Sequence, residues 1–378
     1  MLDLTRLMRR AGRVLTGVDR VELAYARALL ADPVPVFGLI RARLGYILLD
    51  QNGMVDLLPS LSGSVGSSDA QISTAWEVAR RASVGRVPPF LLRRMLRRRV
   101  PQGFAYVNVG HSNLTPRVLD SVKAVGASCA VMIHDVIPLD FPEYQREGSV
   151  PAFAEMVARV EAYADVVIYN SEHTREQTEA RFATLPKAIV AHLGTDVVRP
   201  EPDTLPAGLP PNAPYFVCIG TIEPRKNHAF LLDIWEQIGP DAPSLVLAGS
   251  RGWRNKDVFD RLDRLADDVL IQEVHGLDDG ALAALVQRSS GVLFPSHAEG
   301  FGLPATEAAA LGVPLIVNDL AVFREILGDI PIYASVSDRY LWISKIKELA
   351  EADPDTPRPP QFQPPTWDAH FKIVLRLT

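Results

Sequence analysis

The chain has 378 residues, too many for one compact core and enough for two domains. At 47% hydrophobic and 22% charged it has the composition of an ordinary soluble globular protein. No apolar run approaches the roughly 18 to 20 residues of a membrane helix. The opening "MLDLTRLMRRAGRV" has no apolar stretch after its charges, so it does not read as a secretory signal. The net charge of −6 is unevenly spread. Residues 1–100 hold 16 arginines, no lysine and 8 acids, whereas the remainder is acidic. The first part therefore points toward anionic partners, either phosphate groups or an anionic membrane surface.

Apolar strand-like runs alternate with amphipathic helical runs, which predicts parallel α/β architecture. In chain order, 2–7 reads as a strand, 19–30 as a helix and 34–50 as one or two strands. Further strands are expected at 104–110, 129–135, 165–171 and 188–194. The proline-rich stretch 195–214 reads as an interdomain linker. Strands at 215–221, 244–250, 269–276, 291–296 and 314–319 follow, then a second proline-rich stretch at 353–368 and a short last helix at 368–377. Cys129 and Cys218 lie in apolar strand-like runs and are expected as buried free thiols. No CxxC, HExxH or other metal-ligand spacing occurs.

Two doubly wound halves place ligands at the carboxyl ends of their strands. Two loops there are chemically unusual. "GTIEPRKN" (220–227) turns at Gly220 and brings Arg225 and Lys226 to the start of a helix, with Asn227 suited to the N-cap. Two cations beside a positive helix terminus are unfavourable unless an anion joins them, so the loop suits a diphosphate. A solvated basic turn is the alternative. "HAEGFGLPATEAAALG" (297–312) places Glu299 and Glu307 around Gly300 and Gly302. A carboxylate only accepts hydrogen bonds, so each suits the hydroxyls of a sugar or a ribose, while the glycines let backbone amides approach a ligand. Helix-end electrostatics for Glu307 and a surface position for Glu299 are the alternative.

Together these loops resemble the sugar-nucleotide site of the retaining group-one glycosyltransferases, with their E-x7-E motif. Other segments resemble that family in the same order: "VMIHDVIPLDFPEY" (131–144), "ADVVIYNSEHTREQ" (164–177), "IVAHLGTD" (189–196) and "PPTWDAHFKIVLRL" (364–377). The resemblance implies a GT-B fold of two doubly wound Rossmann-like domains with a cleft between them. It implies an acceptor-binding domain over 1–198, to which a helix in 364–378 crosses back, and a donor-binding domain over 199–363. By the same resemblance Arg225 and Lys226 bind the donor diphosphate, Glu299 the transferred sugar and Glu307 the ribose. Gly220 shapes the first loop, the amides of Gly300, Phe301, Gly302 and Leu303 assist, and the backbone at Val274 reads the base. His134 is the catalytic-site histidine, with a buried core histidine as the alternative. The family's first glycine-rich loop appears as "TGVDRVE" (16–22), which puts Gly17 and Asp19 on the acceptor side.

The resulting expectation is a retaining transferase. It moves a hexose or deoxyhexose, with GDP-mannose the favoured donor, to a glycan or lipid-linked acceptor in surface polysaccharide or glycolipid synthesis. A nucleotide-sugar epimerase or hydrolase and a silent nucleotide-sugar-binding subunit are the alternatives. No cofactor and no metal are expected, because the only Asp-x-Asp letters, 353–355, follow no strand, and cations with helix amides can serve the leaving diphosphate. "FLLRRMLRRRV" (90–100) sets Arg93, Arg94, Arg97 and Arg98 at helical spacing among leucines. It suits either a peripheral membrane contact or a solvated helix face. Nucleic acid is not expected, since no reading motif or interleaved aromatics accompany the arginines. A cytoplasmic location, at the inner membrane face, follows from the resemblance.

Overall fold

The computed structural model describes residues 1–61, 69–184, 186–212, 214–265, 270–352 and 362–375. The chain divides into two compact domains: Met1–Val136, Pro151–Leu193 and Trp367–Thr378 form the first, and Ile137–Val150 with Gly194–Thr366 the second. The division thus falls after Leu193 rather than after residue 198, and the excursion 137–150 is counted with the second domain. The Asp-x-Asp letters at 353–355 lie outside the described residues.

The first domain contains β1 (Leu2–Asp3), α1 (Thr5–Arg10), α2 (Gly17–Ala31), β2 (Gly38–Ala42), β3 (Gly45–Leu49), α3 (Gln51–Leu57), α4 (Asp69–Arg81), β4 (Ser83–Val87) and α5 (Leu92–Arg99). It continues with β5 (Ala105–Asn108), α6 (Pro116–Lys123) and β6 (Ser128–Ile133). After α7 (Ile137–Asp140) come α8 (Ser149–Tyr163), β7 (Val166–Tyr169), α9 (Glu172–Glu179) and β8 (Lys187–Val190). Among the described residues its sheet runs β4-β3-β2-β1-β5-β6-β7-β8. It is parallel except at β3, which pairs antiparallel with both β2 and β4.

Two local features differ from the sequence expectation, and a third settles the choice between one strand and two. The strand expected over 2–7 stops at Asp3, whose side chain accepts the Thr5 amide at 3.0 Å and turns the chain into α1. The run 34–50 resolves into a two-stranded hairpin, β2 and β3. Strand β4 was not legible, because "SVGRV" is a half-exposed edge with no apolar run.

Helix α2 is anchored by Asp19, which is fully buried. Its carboxylate accepts the Thr16 amide at 2.8 Å and the Thr16 hydroxyl at 2.7 Å, half of a capping box. It also accepts Arg6 Nε at 2.7 Å and Arg10 Nε at 2.5 Å. Both oxygens of Asp19, expected on the acceptor side, are thus engaged inside the protein. Gly17 is simply the first residue of α2.

The second domain contains β9 (Tyr215–Ile219), α10 (His228–Ile238), β10 (Ser244–Ala248), α11 (Lys256–Arg264), β11 (Ile271–Val274), α12 (Asp279–Gln287) and β12 (Gly291–Phe294). Then come α13 (Leu303–Ala310), β13 (Leu315–Val317), α14 (Ala321–Leu327), β14 (Ile332–Tyr333) and α15 (Arg339–Glu351). The sheet order β11-β10-β9-β12-β13-β14 is parallel throughout. Its inner strands β9, β10, β12 and β13 are buried on both faces, which is why they read as continuous apolar runs.

The last helix, α16 (Trp367–Val374), belongs to the first domain. His370 is buried there, with Nε2 2.8 Å from the Tyr25 hydroxyl and Nδ1 beside the carbonyls of Ala191 and His192. Cys129 and Cys218 are buried free thiols, both pushed up to about 12 by burial. Among the described residues no helix is long and apolar enough to cross a membrane.

The Asp19 clamp yields a prediction. Asp19→Ala leaves Arg6, Arg10 and the start of α2 without their acceptor. Because the arginines are partly solvated, the cost is about 2 to 3 kcal/mol, at or below the range for a broken buried pair. Urea unfolding followed by a first-domain probe should show the lower midpoint. An unchanged midpoint would remove Asp19 as an anchor.

Candidate active site

In the second domain, strand order reverses between β9 and β12. The chain leaves β9 toward β10 on one side and enters β12 from the other, which is the topological switch point where doubly wound sheets hold ligands. The loops after these two strands are the two singled out by their chemistry. Gly220 ends β9 with φ +135°, and a Cβ there would lie 3.1 Å from Lys226 Cε. Glycine at this position therefore lets the lysine stem fold back over the strand end.

The loops are laced together. His297 donates its amide to Arg225 O at 2.8 Å, and Arg225 Nη1 donates to Ala298 O at 2.6 Å. Asn227 stands at the N-cap of α10 in a left-handed conformation, φ +57°. Its side chain does not cap the helix but donates to Pro295 O at 3.2 Å, tying the β9 loop to the end of β12.

At the centre is Glu299, whose side chain is only 7% exposed. It accepts Lys226 Nζ at 2.6 Å on one oxygen and Arg225 Nη1 at 3.0 Å on the other. Glu223 takes the opposite side of the guanidinium, 3.0 Å from Nε and 2.7 Å from Nη2. Burial alone would raise the Glu299 carboxyl. The charges of Lys226 and Arg225 outweigh it and hold the group at about 2. Since the ordinary value is higher, Glu299 ionisation stabilises this domain at neutral pH, and the contribution fades as pH falls toward 2. The cations expected to await an anion already share one, so the site is pre-ordered and nearly charge-balanced.

Beyond Glu299, Gly302 starts α13 with φ +91°, and a Cβ there would sit 2.6 Å from the Phe323 ring. The turn holds Phe301 and Leu303 inward as packing residues. Gly300 remains half-buried beside them. Their backbone amides stand at the N-terminus of a helix that begins with a left-handed glycine, an anion-friendly geometry. Glu307 lies just over one turn into α13 and is half-buried. Val274 ends β11, and its carbonyl accepts the Gly249 amide at 2.8 Å.

The first domain repeats the topology: its order reverses between β1 and β5. His134 follows β6 and is buried. Its Nε2 lies 2.6 Å from Val109 O, so Nε2 carries the proton and Nδ1 is an acceptor. Its own carbonyl accepts Asn170 Nδ2 at 2.8 Å, which explains why the "YNSEHT" segment accompanies the histidine. His111, unforeseen from sequence, mirrors it from the β5 loop, with Nε2 2.8 Å from Met132 O and its ring centroid 5.2 Å from that of His134. Burial depresses His134 to about 3 and His111 to about 4. Both are neutral hydrogen-bond acceptors across the physiological range.

Glu22, also unforeseen, is buried under this loop. One oxygen accepts the Leu7 amide at 3.1 Å, and the other lies where a Cβ on Gly110 would come within 2.0 Å. Burial, reinforced by Asp3, raises its carboxyl well above the ordinary range. The only sequence trace of His111 was its place just past the strand-end Gly110. Glu22 and Glu223 left none beyond their letters.

In α5 the structure separates two properties that the sequence joined. Leu92, Met95 and Leu96 are buried in the domain core, while Arg93, Arg94, Arg97 and Arg98 face solvent. The apolar face is thus not available to lie in a membrane.

Comparison with known proteins bears on the same region. Residues 205–339 match the family model described as "Glycosyl transferases group 1". The serotype-specific mannosyltransferase WbdA of Escherichia coli is 32% identical over 230 residues, covering 55% of this chain and 28% of that protein. The O-antigen chain mannosyltransferase B of the same species is 32% identical over 127 residues, 33% of each chain. The chain therefore spans about a third or less of the length of these curated relatives. A solved structure of HepE from Anabaena in complex with UDP-glucose is 14% identical, with a TM-score of 0.64 over 93% of this chain and 89% of that one. At that identity the likeness speaks for the fold, two Rossmann-like domains in the GT-B arrangement. The matched segment contains both loops of the switch point, so the similarity to the group 1 glycosyl transferases lies in the second domain and includes its candidate site.

Proposed function

We propose that this protein is a retaining glycosyltransferase that moves a hexose or deoxyhexose from a nucleoside-diphosphate sugar to a glycan or lipid-linked acceptor in surface polysaccharide synthesis. GDP-mannose is the favoured donor, supported by the mannosyltransferase relatives and the "GTIEPRKN" loop. The observation that carries the reading is the buried Glu299 carboxylate held ionised between Lys226 and Arg225 at the switch point.

In this reading the second domain binds donor and the first binds acceptor. The donor diphosphate adds to the outer side of Arg225 and Lys226, and Glu299 accepts hydroxyls of the transferred sugar. Glu307 takes the ribose, the Gly300–Leu303 amides assist the phosphate, and Val274 borders the base. The anomeric carbon–oxygen bond to phosphate breaks as the bond to the acceptor oxygen forms on the same face, and the acceptor proton passes to the leaving diphosphate. Neutral His134 positions hydroxyls rather than taking that proton. Charge on the leaving group is met by Arg225, Lys226 and helix amides without a metal.

Contact with a membrane, on this proposal, is electrostatic and peripheral, made by the outward row Arg93, Arg94, Arg97 and Arg98. It brings the first domain to a lipid-linked acceptor at the cytoplasmic face.

Calorimetry with GDP tests the site assignment. Arg225→Ala and Lys226→Ala should each weaken binding by roughly 1.5 to 3 kcal/mol, the cost of a lost charge-assisted contact. Glu307→Gln should weaken it too. Glu299→Gln should bind GDP at least as tightly as wild type, because it releases the two cations, yet lose transfer. Equal GDP affinity in all five proteins would end the assignment. Donor turnover that needs no acceptor would point instead to an epimerase or hydrolase.

Transfer should persist in excess EDTA. Activity that EDTA abolishes and magnesium or manganese restores would refute the role given to Arg225 and Lys226.

Wild-type protein should co-sediment with anionic vesicles at low salt and release as salt rises, each arginine contributing about 1 kcal/mol near the surface. Glutamine at positions 93, 94, 97 and 98 should abolish the association and spare GDP binding. If the wild type ignores the vesicles, the row is only a solvated face.

A further inference from the structure

Three groups of arginines stand out in the first domain. Arg6 and Arg10 are bound to Asp19, and the α5 row faces outward. The third group gathers around one cavity. Arg9 of α1, Arg41 and Ala42 of β2, Arg43 of the β2–β3 turn and Trp76 of α4 line an open pocket of about 400 Å³. Among the described residues no acidic side chain lines it. Among the described residues Arg9, Arg41 and Arg43 make no ion pair.

The pocket is built from separate elements fixed to one another. The Arg41 amide donates to Thr5 Oγ1 at 3.0 Å, which pins the end of β2 to the first residue of α1. The turn of α1 that sends Arg6 and Arg10 to Asp19 leaves Arg9 on the pocket side. The hairpin turn carries Arg43 in from the sheet edge, with Leu44 at its tip 83% exposed. Three exposed arginines around one pocket, none of them in an ion pair among the described residues, add like charge to one place, which an anion bound there would offset. A guanidinium fork matches a phosphoryl group bidentately, and an indole wall suits the uncharged part of a phosphate ester.

We propose that this pocket is a binding site for a phosphate ester or diphosphate. The nucleotide reading concerns the second domain, and this site stands independently of it. Strand register adds a relation to the first-domain histidines. Gly38, Leu2, Val107 and Ala130 form one row across the sheet. Three residues on come Arg41, Gly110 and Ile133, so the pocket opens at the sheet end that carries His111 and His134. Strands β2 and β6 are three spacings apart, about 14 Å. A phosphorylated acceptor held by Arg9, Arg41 and Arg43 has its sugar within that reach of His134. This last extension rests on the transfer reaction proposed above.

The test follows the indole N–H resonance of Trp76 in full-length, nitrogen-15-labelled protein, with Trp76→Phe identifying the peak. Two probes separate the sources of phosphate: inorganic pyrophosphate, and dihexanoyl phosphatidic acid below its micelle concentration. A saturable Trp76 shift with pyrophosphate supports a soluble phosphate ligand. A shift with the lipid alone supports a lipid headgroup. In either case Arg41→Gln and Arg43→Gln should weaken the titration at least tenfold while the other indole peaks keep their positions. Both side chains are exposed, so these variants should fold. No shift with either probe, or an equal shift in the variants, overturns the proposal. Pyrophosphate bound at Arg225 and Lys226 is read separately, by GDP competition, so failure of one site does not decide the other.

Discussion

The second domain is organised around one buried carboxylate. Glu299 is surrounded by protein, and an isolated carboxylate there would be costly. Lys226 and Arg225 make it tolerable, and it in turn makes two adjacent cations tolerable at the start of α10. The dependence is mutual, so the three side chains set the loop geometry as a unit. Gly220 must be glycine for the lysine stem to pass, Asn227 must reach Pro295, and Arg225 must bond the Ala298 carbonyl. A site ordered in this way before a ligand arrives loses little conformational freedom on binding.

The position of that cluster follows from topology. In a parallel sheet wound in opposite directions from its middle, neighbouring central strands send their loops apart and leave a crevice at their carboxyl ends. β9 and β12 are that pair in the second domain, and β1 and β5 in the first. The first pair carries Arg225, Lys226 and Glu299. Beside the second lie the neutral rings of His111 and His134, each held by a carbonyl from the other's strand or loop. One crevice is ionic and the other presents uncharged acceptors. That contrast is chemically suited to a charged nucleotide on one domain and a hydroxylated ligand on the other, as the proposed reaction requires.

The basic character of the first hundred residues serves more than one end. Asp19 uses two arginines to start a helix, the α5 row leaves its charge in solvent over a buried apolar face, and three more arginines line the Trp76 pocket. Composition alone groups these together. Only their partners tell a structural arginine from one that is open to an anion.

What the sequence determined by itself was whatever depends on local pattern. Continuous apolar runs marked the buried parallel strands, because both faces of such strands meet helices and no polar alternation survives. Loops rich in glycine and charge at their ends marked the switch point, since Gly220, Arg225, Lys226 and Glu299 are not residues that packing alone would select there. The family resemblance carried by those loops extended the reading to the GT-B fold. Tertiary structure decided the rest. The edge strand β4 has no apolar run, because a half-exposed edge does not need one. Asp19 showed nothing in the sequence of Arg6 and Arg10, thirteen and nine residues away, which close on it in the fold. Asn227 had the letters of a helix cap but bonded a carbonyl 68 residues distant. Glu22, Glu223 and His111 acquired their character from burial and from neighbours that only folding brings near. Pattern along the chain reports hydrophobic burial and turn geometry; the partner of a charge is chosen in three dimensions.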